Sequence, residues 1–117
     1  MATWDEEELA TQVLKELGVV GSGQTASAED TARVTAVYPS IYEALANRGL
    51  ASWESDEIEE EAQLPLAKYV AGKVASSFGF TGQRLAELRG EGQQGWLELQ
   101  EAAAADRQLI PPKFKDY

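Results

Sequence analysis

Residues Glu61 to Gly79 read EAQLPLAKYVAGKVASSFG, and their spacing sets the fold class. Leu66, Val70, Val74 and Phe78 recur every four residues. Ala67, Ala71 and Ala75 follow one position on, so the two rows merge into one wide apolar stripe on a helix. The alanine row lets a neighbouring backbone come close, which predicts a central helix packed on more than one partner. Pro65 suits a first helical turn, where a missing N–H costs nothing, unless the helix begins as early as Glu57 and holds Pro65 inside it. Gly79 suits the left-handed position just past a helix end. Residues 66–78 are therefore expected to form the most buried helix, with the rest of the chain covering it.

Working outward, helix one is expected from Thr3, where Thr3-Trp-Asp-Glu6 fits a capping box. Asp5 to Glu8 match the helix dipole, Ala10, Val13, Leu14 and Leu17 form an inner face, and Gly18 ends the helix. GSGQTAS (21–27) is a loop. It lacks the Lys-Ser/Thr pair of a phosphate cradle, and the helix after it opens on Glu29 and Asp30. Helix two starts at Ser27, capped as Ser27-Ala-Glu-Asp30. Its inner face is Val34, Val37, Tyr38, Ile41, Tyr42 and Leu45, and Gly49 closes it. Pro39 should kink it without splitting it, because the apolar phase survives across the proline.

Helix four follows a turn at 79–82, with Thr81 as its cap. Leu85, Leu88, Gly92, Trp96, Leu99 and Ala103 keep helical spacing. Gly90, Gly92 and Gly95 each cost roughly 1 kcal/mol against Ala, so a break near Gly90–Gly92 is the rival reading. No strand-like alternation is convincing. The expectation is an all-α domain over residues 1–106, four principal helices in an antiparallel bundle, followed by an extended C-terminal arm at 107–117.

Composition limits function. The chain has 117 residues and a net charge of −10, with no cysteine and no histidine. That removes disulfides, thiolate metal sites and the commonest general base. No serine has a plausible base beside it, so the chain reads as no enzyme, with no cofactor. No apolar run reaches the ~20 residues needed to cross a bilayer. The N-terminus, MATWDEEELA, is acidic, unlike a secretory or transit peptide. Such a negative field repels phosphate backbones and anionic membranes.

Two stretches stand out against this background. Between Glu54 and Glu61 lie six acids in eight residues: Glu54, Asp56, Glu57, Glu59, Glu60 and Glu61. They fit a solvated connector with a dipole-matched helix start, or an acidic surface used in an assembly. The alternating ligands and turn glycine of a calcium loop are missing, and nothing predicts the sheltered cleft that paired hydrolytic carboxylates need. The tail RQLIPPKFKDY (107–117) has three bases and one acid, leaving seven bases and nineteen acids elsewhere. It reads either as a disordered terminus or as a docking arm. The arm would use Leu109, Ile110, Pro111, Pro112, Lys113, Phe114, Lys115 and Tyr117.

The order of these pieces resembles the small helical head-to-tail connector (adaptor) proteins of tailed bacteriophages, including the packaged-DNA stabilisation group. The matching segments are VLKELGV at Val13–Val19, Ser27-Ala-Glu-Asp30, LPLAKYVAGKVASSFG at Leu64–Gly79, and the long helix from Arg84 to Ala103. Together they span roughly residues 9–105; Pro39 and the glycines at 90, 92 and 95 depart from the pattern. The resemblance implies a structural role at the head-to-tail junction of the virion, in a protein made in the host cytoplasm. It implies a ring, commonly of twelve copies, under the portal protein, which extends the DNA channel and docks other tail or nozzle proteins. DNA would pass an acidic wall without specific binding. The tail residues would dock the portal. An acidic regulatory or DNA-mimic protein, a monomer or dimer that binds a basic partner, is the alternative.

Overall fold

The computed structural model describes residues 2–21 and 23–108. It is all-α, with four helices in chain order: α1 (Glu6–Leu17), α2 (Ala28–Asn47), α3 (Glu60–Val74) and α4 (Gly82–Gln108). A short 3-10 turn, Ala75–Phe78, ends α3 and leads into Gly79, whose φ of 87° takes the left-handed position. Among the described residues the β pairing is limited to two isolated bridges.

One bridge moves the start of α1. Trp4 and Ile58 exchange backbone hydrogen bonds of 3.0 and 2.8 Å. Residues 3 and 4 are thereby drawn away from the helix, and the cap passes from Thr3 to Asp5. Asp5 Oδ1 accepts from the Glu8 N–H at 2.8 Å, and Glu8 Oε1 accepts from the Asp5 N–H at 2.9 Å. The capping-box logic holds, two residues later than the sequence suggests. Ser27 caps α2 as expected, its hydroxyl accepting from the Asp30 N–H at 3.1 Å. α2 then runs unbroken through Pro39. Its inner face is narrower than predicted: Val34, Tyr38 and Leu45 are buried, Ile41 and Tyr42 are half-buried, and Val37 is exposed.

α3 is the buried element around which the others gather. Leu66, Ala67 and Val70 are fully buried, and Ala71 and Val74 nearly so; Phe78, beyond the helix proper, is only half-buried. The helix starts earlier than a first-turn proline would allow, so Pro65 sits inside it and leaves one intrahelical bond unmade. Gln63 anchors this early start. Its buried side-chain amide donates to the carbonyls of Ile58 and Ala2, both at 3.1 Å, tying α3 to the loop before it and to the N-terminal segment.

The helix in doubt, α4, is continuous from Gly82 to Gln108. Its glycines are the reason it fits. A Cβ on Gly92 would stand 3.2 Å from the Lys68 carbonyl oxygen and 3.3 Å from the Gly72 Cα. A Cβ on Gly95 would collide with the Pro65 carbonyl oxygen. From α3, a Cβ on Gly72 would meet the Leu88 carbonyl oxygen at 3.0 Å. These pairings run in opposite order along the two helices, so α3 and α4 are antiparallel and meet backbone to backbone. Gly90 faces open space and takes no part. The helix reaches two residues into the stretch assigned to the C-terminal arm, and residues 109–117 lie outside the described part.

Candidate functional site

The six acids of 54–61 do not form one surface. Glu54, Asp56, Glu57, Glu60 and Glu61 are exposed, and Glu59 is half-buried at the N-cap of α3. A tight turn, closed by the Glu57 N–H donating to the Glu54 carbonyl at 3.0 Å, divides them. Asp56 is carried to the N-terminus of α1, where it lines a hollow with Asp5, Glu6 and Glu7. The floor of that hollow comes from α2, including Ala28, Ala32 and Thr35. Glu59 and Glu61 instead border a second hollow with Trp53, Ala62, Leu99 and Ala103. The acidic flank is thus built from two distant segments, only one of which stands out in the sequence. The tail residues Leu109, Ile110, Pro111, Pro112, Lys113, Phe114, Lys115 and Tyr117 lie outside the described residues.

Tyr38, Tyr42 and Trp53 form an aromatic group, with ring centres 6.0 and 6.4 Å apart along the chain of contacts. The Trp53 indole N–H donates to the Tyr38 hydroxyl at 3.2 Å, and the Tyr42 hydroxyl donates to the Trp53 carbonyl at 2.6 Å. Tyr38 is 1% exposed. Burial pushes its hydroxyl up from the usual 10.0 to about 12, against a smaller lowering by the Trp53 hydrogen bond; Glu6 and Asp56 add to the rise.

Across α2 lies a groove of opposite character. The Arg48 guanidinium sits 5.2 Å from the centre of the Trp96 ring. Trp96 packs on Tyr69 with ring centres 5.4 Å apart, and the Lys73 ammonium lies 5.4 Å from the Tyr69 ring. Nearer the start of α2, Arg33 lies 5.5 Å from the Phe78 ring and donates to the Ser77 carbonyl at 3.2 Å. Arg33, Arg48 and Lys73 are exposed. Ring faces are electron-rich and hold such cations weakly, leaving much of each charge available to an outside anion. Among the described residues, none of these three cations lies within 4 Å of a carboxylate as an ion pair, whereas Arg84 and Glu87 meet at 3.5 Å. The sequence offered one hint of this groove: Tyr69 and Lys73 stand four apart on α3. Its other pairs join segments far apart in the chain.

The two surfaces lie on opposite flanks of α2. Ala28, Ala32 and Thr35 border the acidic hollow, whereas Ile41, Ala44 and Arg48 border the groove. At 100° per residue these sets point roughly 170° apart. No group of three or more potential metal-binding side chains occurs among the described residues, and no helix of the described part is long and apolar enough to cross a membrane. No protein-family model, curated protein or solved structure matches the chain.

Proposed function

We propose that the protein is a structural head-to-tail adaptor of a tailed bacteriophage. It forms a ring under the portal that extends the DNA channel and receives the next tail component, and it carries out no chemistry of its own. The observation that carries this reading is the exposure of five of the six acids at 54–61 on an all-α scaffold. Exposed acids stabilise nothing locally, and they suit ring faces that meet either a neighbouring subunit or a channel past which a polyanion moves without adhering. The order of sequence segments shared with the connector proteins supports the same role. The docking function assigned to residues 109–117 rests on sequence alone.

The test is particle size in solution, alone and with a portal protein. A ring that binds the portal is expected. Deleting Ile110 to Tyr117 should leave helicity unchanged and abolish portal capture. Replacing the six acids by Gln should keep the fold and raise retention of DNA on the assembled ring at low salt. A monomer that ignores the portal and binds a basic protein would overturn the adaptor reading in favour of a DNA mimic.

A further inference from the structure

We infer that the cation–aromatic groove seats the acidic flank of a second copy of this chain. The inference rests on the adaptor-ring reading and names the surfaces that would join its subunits. The chain has twice as many acids as bases, yet Arg48 and Lys73 line one groove, Arg33 stands on the same flank of α2, and all three face rings. Ile41, which borders the groove, is half-buried, and Val37, one turn earlier on the same face of α2, is 39% exposed, so this side offers apolar area beside the charges. On the opposite flank, Asp5, Glu6, Glu7 and Asp56 surround the small side chains Ala28, Ala32 and Thr35. A shallow acidic hollow floored by small residues is the complement of a cationic rim with projecting apolar side chains.

The geometry also sets the kind of assembly. Each copy presents both surfaces, and they point in nearly opposite directions from α2. A contact between unlike surfaces leaves one of each free at the ends of any dimer. Such a head-to-tail contact repeats, giving a closed ring or a filament, rather than stopping at a two-fold pair. Nucleic acid is the other polyanion whose charge suits such a groove. The net charge of −10 opposes either polyanion at long range; the second copy is favoured because its acids surround small side chains that the apolar part of the groove can cover.

The experiment is sedimentation velocity on the full chain, alone and with the portal present, on four samples. These are wild type, Arg48→Glu with Lys73→Glu, Glu7→Lys with Asp56→Lys, and an equimolar mixture of the two reversed proteins. All four substituted residues are exposed, and circular dichroism checks that each variant keeps its helices. The wild type should self-associate, with an association constant that falls at least about tenfold between about 50 and 300 mM salt. Each reversed protein alone should lose at least about tenfold in association, and the mixture should recover it. Recovery occurs because the acidic flank of one variant then faces the intact-sign groove of the other, and the two reversed surfaces also attract. Reversed proteins that assemble like wild type would overturn this interface and leave the ring standing. A mixture that stays dissociated would overturn the pairing of unlike surfaces. A wild type that remains monomeric, alone and with the portal, would overturn both the interface and the ring. Saturable binding of oligo-dT by a monomer, lost on Arg48→Glu with Lys73→Glu, would assign the groove to nucleic acid instead.

Discussion

α3 contributes to two contacts of opposite kind. Toward α4 it presents Gly72 and the carbonyls of Pro65 and Lys68, and the partner answers with Gly92 and Gly95. Toward α2 it presents Tyr69 and Lys73, and the space between stays open as a groove. The first contact is closed because side chains are missing from it. The second is open because long side chains span it through ring faces and cations instead of interlocking. The same helix thus has one side that fixes the fold and another whose groups remain available to a partner. Burial alone does not separate these roles. What separates them is whether removing or adding atoms disturbs a backbone.

The comparison breaks most visibly in the core beneath the seam. Val74→Asp places an unpaired carboxylate where 3% of the side chain is exposed. It should cost more than about 4 kcal/mol and leave the protein largely unfolded by circular dichroism. A folded variant would mean that α3 is not the organising element.

A smaller effect sharpens the contrast within α2, whose closed side holds Tyr38. Its folded pKa of about 12 lies above the unfolded value near 10. Below pH 10 the hydroxyl is neutral in both states, so stability does not change with its titration. Between pH 10 and 12 the unfolded chain releases the proton and the folded chain keeps it. Stability should therefore fall by roughly 2–3 kcal/mol across that window. Urea denaturation at several alkaline pH values measures it. Tyr38→Phe should flatten the fall, at a cost of about 1 kcal/mol at neutral pH for the unpaired Trp53 indole.

How much of this was legible depended on sequence distance. The stripe of α3 up to Val74, the Ser27 cap and the glycine stop after α1 are local patterns, and each appears where the residues placed it; Phe78, the stripe's last member, falls in the 3-10 turn. The Thr3 cap failed because a distant residue, Ile58, recruits the backbone of Trp4. The glycines of α4 were legible only as a cost, since propensity describes a helix alone and says nothing of a neighbour needing the space. The acidic run at 54–61 looked like one surface, and a four-residue turn sends its members to different hollows. The groove was nearly invisible, because Arg33 with Phe78 and Arg48 with Trp96 meet only after the chain has folded.

On the open side of α3 the expected effect on stability is the smallest. Arg48→Ala with Lys73→Ala removes two exposed cations from ring faces, worth about 0.5–1 kcal/mol each. Thermal unfolding should shift by only a few degrees. A loss as large as that of a core substitution would show that the groove belongs to the core.

The α3–α4 seam is closed by the absence of side chains, and two glycine variants separate that cause from helix propensity. Gly90→Ala and Gly95→Ala make the same chemical change five positions apart on one helix, the first into open space and the second against the Pro65 carbonyl. Helix propensity favours both by about 1 kcal/mol. Urea denaturation should show Gly90→Ala stabilised by about that amount and Gly95→Ala destabilised by roughly 2 kcal/mol or more. Equal stabilisation by both would contradict the account, since it would mean that α3 and α4 do not meet through their backbones.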